Sequence, residues 1–592
     1  MNPKIHLAQE HVRSGRFAQA KPLLLAVLQQ RPDDFDALAL LTDALIKLHE
    51  LPQAEYYARR ALRGREHIAD AWTILTMWQV AAGKFADAEH SARHAMDLDP
   101  TNPERYRHAA AVHVRLNQYG KMAVAAAAGA AISPQDDDLH LKHAVALLNL
   151  GQVELAADVY RAGSALCPKS LALAEGLATG LNYVPGVSID ESIEAHRRFG
   201  HLLAEQSPAH PAPVPAAGQP RLRVGILSPD LRRHSVAYFA RPILQHLPRD
   251  RFELHIYSTT NEEDAESAGL RTLLADDPHA AWRTFPKADA AAVAGTIRDD
   301  RIDILVELSG LMAGHNQRVM IRRPAPVQVS YMGYPSITGV PTIDARLVDA
   351  LTDPPETEPT AAGLERLVRL AGCFLCYAPP ADPPPVAPPQ NRDGRIVFGS
   401  FNTLRKVNEA LLALWGRVLD AVPGSTLLIK TAGLDQAEVC ESVNIRLRRA
   451  GIDPGRVELR GPTTGLGAHL AEYAGMDIAL DTFPYCGTTT TCEALLMGVP
   501  VVSKVGSVHA SRVGLSLLSA VGVPGLLATS DDAYVALAAS LAHDRARLNA
   551  MRGTLRPQLL ASTLCDGGAF GERLGTALSG LAGRLCDQKP NN

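Results

Sequence analysis

A repeat with a period of about 34 residues runs through the N-terminal part of the chain, as far as Pro168, and limits what that stretch can become. Pro32, Pro100, Pro134 and Pro168 are spaced by whole multiples of that period, and so are Gly15, Gly83 and Gly151. Ala20, Ala54, Ala88 and Ala156 fall on the same grid, as do Ala61 and Ala95, with Trp72 and Tyr106 at matching places. Within each unit a glycine ends a first helix and a proline follows a second. The small residues sit where the two helices must approach closely. One such unit cannot bury its apolar face alone, so copies must stack.

The period and punctuation are those of the tetratricopeptide repeat, and five units over 1–170 make an α-solenoid. The concave face of such a superhelix binds peptides or proteins. An oligomerisation surface is the plainer alternative. Residues 171–219 read as a helical bridge, broken at Pro185-Gly186, with a helix cap at Ser188 or Asp190, followed by the proline-rich connector "SPAHPAPVPAAGQP".

After residue 220 the pattern changes to short apolar strands alternating with helices, which predicts a parallel, doubly wound sheet. Strands are expected at 221–229, 251–259 and 302–310, with a helix in "ADAAAVAGTIRDD". A second connector (377–394) holds seven prolines and divides a first Rossmann-like half (220–376) from a second (395–592). The second half restarts with strands at 395–402, 425–430, 456–461, 476–483 and 499–506. Two such halves make a cleft, with ligands at the carboxyl ends of the strands. Neither GxGxxG nor GxxxxGK[ST] occurs. The expected class is therefore a nucleotide-sugar glycosyltransferase of GT-B type, ahead of a dehydrogenase or an ATPase.

Composition narrows the partners. With 59 basic against 63 acidic residues the net charge is −4, which argues against nucleic acid as a partner. No run approaches the roughly 18 apolar residues of a membrane span. The N-terminus lacks a basic-then-apolar signal pattern, so a cytoplasmic location is expected. The eight cysteines are scattered. Cys373 and Cys376 have CxxC spacing, but no second pair lies nearby, so they are expected as buried apolar residues of a strand-like run, with no metal.

The stretch "LDTFPYCGTTTTCEALLMG" places four threonines at the start of a helix beginning near Thr488 or Thr489. Free amides and the positive end of the dipole make such a tip an anion site. Glu493, one turn in, could accept from ribose hydroxyls. A run that only caps its own backbone is the plain alternative.

The segment from "LDTFPYCGTTTT" through "GSVHASRVGLSLL" resembles the donor site of the family 41 protein O-glycosyltransferases, nearest the SPINDLY-like branch and related to the O-GlcNAc transferases. "GILSPDLRRHSVAYF", "DILVELSG", "RPAPVQVSYMGYPSITGVPTID", "ERLVRLAGCFLCY" and "FGSFNTLRKV" agree in order, over about residues 170–580. The resemblance implies inverting transfer of a sugar from a nucleotide donor to Ser or Thr of a protein acceptor held by the repeats. It requires no metal or other cofactor. It places Lys406 beside the diphosphate, Thr403 in the same loop, Thr489 and Thr490 at the phosphates, and Glu493 at the ribose. His469 falls where the family packs a histidine on the base. Gly333, Tyr334 and Pro335 match the loop lining the sugar pocket. His234 matches a histidine read either as general base or as a positioning group, and the two roles stay open.

Two departures concern the donor. Thr488 stands where the GlcNAc branch has histidine, which favours GDP-fucose over UDP-GlcNAc. The Ser-Arg pair in "HASRV" points the other way. A CMP-nonulosonic acid donor with flagellin as acceptor, a scaffold that binds nucleotide sugar without turnover, and a transferase acting on small molecules or glycans are the remaining alternatives.

Overall fold

The computed structural model describes residues 2–207, 210–213, 220–287, 289–357, 364–388 and 394–587. Parts of both proline-rich connectors (208–209, 214–219 and 389–393) lie outside the described residues. The chain divides into two compact units, one of residues 1–150 and 155–168, the other of 151–154 and 169–592.

The first unit is built from antiparallel helix pairs. The second helices of the pairs, Phe17–Gln30, Leu51–Leu62, Phe85–Leu98, Tyr119–Ile132 and Val153–Leu166, each begin one repeat period after the last. Ala20, Ala54 and Ala88 are fully buried, which lets the paired helices close on one another. Each first helix ends in a left-handed residue. Gly15, Gly83 and Gly151 take φ of 70–74°, and on the same grid His49 (60°) and Asn117 (55°) do the work of glycine.

The second unit opens with two helices, Leu171–Gly180 and Ile189–Glu205, the latter capped by Ser188, whose side chain accepts from Glu191 N–H at 3.1 Å. Then come β1 (Leu222–Ser228), β2 (Phe252–Ser258), β3 (Ala281–Thr284), β4 (Ile304–Glu307), β5 (Val327–Tyr331), β6 (Ala345–Asp349) and β7 (Arg366–Leu370). They form a parallel sheet of order β3-β2-β1-β4-β5-β6-β7. A second parallel sheet, of order β10-β9-β8-β11-β12-β13, holds β8 (Val397–Ser400), β9 (Thr426–Lys430), β10 (Val457–Arg460), β11 (Ile478–Leu480), β12 (Val501–Lys504) and β13 (Leu527–Ala528). The central strands are buried throughout because helices cover both faces. The order reverses between β1 and β4 in one sheet and between β8 and β11 in the other. Ligand crevices open at such switch points.

The halves are laced together. Asp353 accepts from His509 Nδ1 at 2.5 Å, and Ser516 Oγ donates to Asp349 at 2.5 Å. The helix Gly567–Asp587, last in the chain, packs on the first half rather than the second, with no room for a Cβ at Gly571 beside the His246 carbonyl. The strand-like run expected at Cys373–Cys376 is instead irregular chain. All four of its residues are buried, so burial does not alternate as a half-exposed strand would require. Cys373 and Cys376 are free thiols.

Candidate functional site

Because β8 and β11 are neighbours, with Phe398 opposite Ile478 and Gly399 opposite Ala479, the loops leaving their carboxyl ends must run side by side. One loop carries Asn402, Thr403 and the short helical turn Leu404–Lys406. The other runs from Asp481 to the helix Thr489–Leu496. They meet in two places. Thr490 Oγ1 donates to Asn402 Oδ1 at 3.1 Å, and Lys406 Nζ donates to the Cys486 carbonyl at 2.7 Å. Lys406 and the threonine run are thus brought together.

The four threonines are not one capping run. Thr488 holds the cap position, yet its side chain makes no cap bond; its carbonyl takes the Cys492 N–H at 3.1 Å. Thr491 Oγ1 turns back to the Gly487 carbonyl at 3.2 Å. The loop is held from beneath by buried Asp481, which accepts from Gly487 N–H (2.6 Å), Thr482 N–H (2.9 Å) and Ser503 Oγ (2.6 Å). The first turn of the helix is left with amides that have no intrahelical carbonyl, at the positive end of its dipole. Gly487 is required here: a Cβ would sit 2.4 Å from Thr490 Oγ1.

Burial pushes the Lys406 ammonium down to about 8, with the Asp481 carboxylate working the other way. The same burial raises the Asp481 carboxyl against hydrogen bonds from Ser503 and Gly487. Thr403 is exposed and its side chain makes no cap bond; its carbonyl accepts from Lys406 N–H at 2.9 Å.

A second cluster lies one turn along the same helix. Tyr473 O–H donates to Glu493 Oε2 at 3.1 Å, and His469 Nε2 lies 3.2 Å from that oxygen. Lys430 Nζ is 2.8 Å from His469 Nδ1. A lysine ammonium can only donate, so Nδ1 accepts and Nε2–H points at Glu493. Phe401 backs the group, its ring 4.5 Å from that of Tyr473 and 5.9 Å from that of His469.

In the first half, His234 stands past the end of β1 and caps the helix Ser235–His246, its Nδ1 accepting from Val236 N–H at 3.3 Å. Asp230 Oδ1 is 3.7 Å from the same nitrogen. Burial lowers the imidazole's pKa, with Asp230 opposing. With Nδ1 accepting the Val236 amide, the neutral form of the ring carries its hydrogen on Nε2. One turn along that helix, burial pushes the Tyr238 phenol up to about 12, with the Glu493 and Glu266 carboxylates adding to it.

The loop Gly333-Tyr334-Pro335 divides. At Gly333 a Cβ would meet the Leu308 carbonyl at 2.0 Å. The Tyr334 hydroxyl accepts from Asn182 Nδ2 at 2.8 Å and bonds His196 Nε2 at 2.7 Å, so this buried side chain clamps the helical bridge instead of lining a sugar pocket. Pro335 does face a cavity, of about 260 Å³, with Asn182, Phe483, Pro484 and His509.

The sequence alone does not single out Asn402, Lys430, Tyr473, Asp481 or Tyr485. The usable signal for Asn402 and Asp481 is position, since each follows a strand at a switch point. Lys430 and Tyr473 carry no local signal, because only the tertiary fold brings them to Glu493.

Comparison with known proteins agrees with this layout. The profile of glycosyl transferase family 41 matches residues 201–375 and 389–574, and a tetratricopeptide repeat profile matches residues 11–65. The chain is similar to the probable UDP-N-acetylglucosamine–peptide N-acetylglucosaminyltransferase SPINDLY of Oryza sativa subsp. japonica, 40% identical over 423 residues that cover 71% of this chain and 45% of that protein. Its Arabidopsis thaliana counterpart is 38% identical over 425 residues, covering 71% and 46%. The matched stretch is thus under half the length of these relatives. Among solved structures, an O-GlcNAc transferase mutant from Thermobaculum terrenum superposes with a TM-score of 0.76 at 30% identity, covering 88% of this chain and 98% of that one.

Proposed function

This chain belongs to glycosyl transferase family 41, and from that premise we propose that it is an inverting protein O-glycosyltransferase. It moves a sugar from a nucleotide donor to Ser or Thr hydroxyls of a polypeptide recruited by the repeats. The observation that carries this reading is that the loop holding Asn402 and Lys406 meets the one that opens the helix Thr489–Leu496, Asn402 through Thr490 and Lys406 through the Cys486 carbonyl. As the glycosidic bond breaks, negative charge grows on the departing diphosphate, and fixed donors aimed at that spot favour the transition state over the ground state. Losing one such donor costs about 2.7–4 kcal/mol of barrier. Glu493, oriented by His469 and Tyr473, takes the ribose hydroxyls; His469 and Phe401 supply the surface for the base.

The tautomer of His234 supports a positioning role. Its Nε2 carries hydrogen and donates to donor or acceptor oxygen, so it is not poised to take the acceptor proton.

GDP-fucose is the donor of first choice and UDP-GlcNAc the second. Thr488 still stands where the GlcNAc branch has histidine. The Ser-Arg pair that pointed the other way has structural work: Arg512 donates to the carbonyls of Leu351 (2.6 Å) and Gly506 (3.0 Å), and Ser511 Oγ to that of Val508 (2.8 Å). Calorimetric titration of the purified chain with UDP, GDP and CMP, followed by transfer assays on lysate protein with the matching sugars, tests the reading. Tightest binding of GDP with fucose transfer is expected. Absence of transfer from every sugar would favour a non-catalytic scaffold.

A further inference from the structure

We propose that Tyr485, backed by Tyr183 of the helical bridge, is a positioning residue that holds the Lys406 ammonium poised for the diphosphate. The proposal rests on the role given to Lys406 above. Lys406 Nζ lies 4.0 Å from the centroid of the Tyr485 ring. On that ring Tyr183 is stacked, with centroids 5.1 Å apart and planes at 23°. The arrangement is fastened at both ends. Asn408 Nδ2 donates to the Phe483 carbonyl at 2.6 Å and to the Tyr183 carbonyl at 3.4 Å, tying loop to bridge. Thr482 Oγ1 donates to the Tyr485 carbonyl at 2.7 Å, and Cys486 N–H to Ala510 O at 3.0 Å.

The choice of an aromatic face has a chemical reason. An ammonium has three hydrogens to place. The Cys486 carbonyl takes one. Asp481, the carboxylate that acts on Lys406, has both oxygens engaged by Gly487, Thr482 and Ser503. A carboxylate directly on Nζ would compete with the leaving diphosphate for the same charge. A ring face attracts the cation through its quadrupole and yields to an anion without leaving an unpaired charge behind. The other titratable group acting on Nζ is the Cys486 thiol, which burial keeps neutral. Through Tyr183, the segment that follows the repeats in the chain reaches the catalytic lysine.

The test is competitive acylation of the full chain with acetic anhydride across a pH series, following the Lys406 peptide by mass spectrometry. It reports the lysine's titration without any donor. Losing a desolvated cation–π contact changes the protonation equilibrium by about 2- to 30-fold, so Tyr485→Leu should move the Lys406 titration down by roughly 0.4–1.5 pH units. Tyr485→Phe, which keeps the ring, should restore the wild-type curve. Tyr183→Leu should move it in the same direction, and carries the test if Tyr485→Leu does not fold. An unchanged Lys406 titration in the folded leucine variants overturns the proposal. Full sugar transfer by Lys406→Met would overturn instead the role of the lysine itself, and the two failures are separable.

Discussion

Substituting Gly487 by alanine should damage the helix tip more than its one methyl group suggests. The new Cβ would lie 2.4 Å from Thr490 Oγ1, 3.0 Å from Asp481 Oδ1 and 3.0 Å from Thr491 Oγ1. None of these atoms is idle. Thr490 bonds Asn402, Thr491 bonds the Gly487 carbonyl, and Asp481 accepts the Gly487 amide. The cheapest escape swings the Thr490 hydroxyl away and breaks its bond to Asn402, at about 0.5–1.5 kcal/mol; displacing the charged acceptor Asp481 adds about 1.5–3 kcal/mol. A total loss of about 2–4.5 kcal/mol of stability follows, and nucleoside diphosphate affinity should fall about tenfold for each roughly 1.4 kcal/mol of binding that the displaced tip loses. Gly553→Ala is the matched control. It lies within the helix Arg545–Leu560 with nothing inside 4 Å of the added carbon, so a gain of about 0.5–1 kcal/mol is expected. Urea unfolding and calorimetry with UDP and GDP measure both quantities. If Gly487→Ala binds nucleotide as the wild type does and unfolds at the same urea concentration, the helix tip is not the diphosphate seat.

Other consequences follow from the same geometry. Burial lowers Lys406 from 10.5 to about 8, and the lysine must be charged to act, so transfer should fall as pH rises through about 8; a flat profile to pH 9.5 or so would contradict this. Between those two values the unfolded chain binds the extra proton, so this residue's contribution to stability rises with pH there, and Lys406→Met should remove that rise in melting temperature. Asp481→Asn, which replaces a buried charged acceptor of two amides and a hydroxyl, should lower stability by about 2–4 kcal/mol in denaturant titration, and an unshifted midpoint would refute its role. Glu493→Ala should weaken UDP and GDP while leaving inorganic pyrophosphate unaffected in calorimetry; equal losses for all three would place the carboxylate at the phosphates.

How far the sequence could be read depended on how local each signal was. The repeat was legible because its spacing is set by one helix pair packing on the next. Even so, His49 and Asn117 occupy the left-handed positions that glycines mark elsewhere on the grid; both belong to the few non-glycine types that enter this region readily, a weaker signal than glycine. Strands β8–β12 were visible as apolar runs. Strands β3, β5, β6, β7 and β13 were not, although β5, β6 and β7 are no shorter than β8–β12. At the site, the threonines stand out as a run opening a helix, while Lys406 is placed only by the family resemblance. The Thr491 hydroxyl serves its own loop and Tyr334 the bridge, while the Thr488 side chain makes no cap bond. Tyr485, which carries Lys406 on its face, looked like any aromatic residue in a turn. Its partners, Lys406 and Tyr183, come from distant parts of the chain, so no window of sequence around it contains either.

The most direct measurement is a crystal structure of the protein soaked with GDP or UDP. The phosphates should lie within about 3 Å of Lys406 Nζ and of the amides opening the helix Thr489–Leu496, with the ribose on Glu493. Nucleotide bound anywhere else, with Lys406 still seated on the Cys486 carbonyl and the Tyr485 ring, would contradict the assignment.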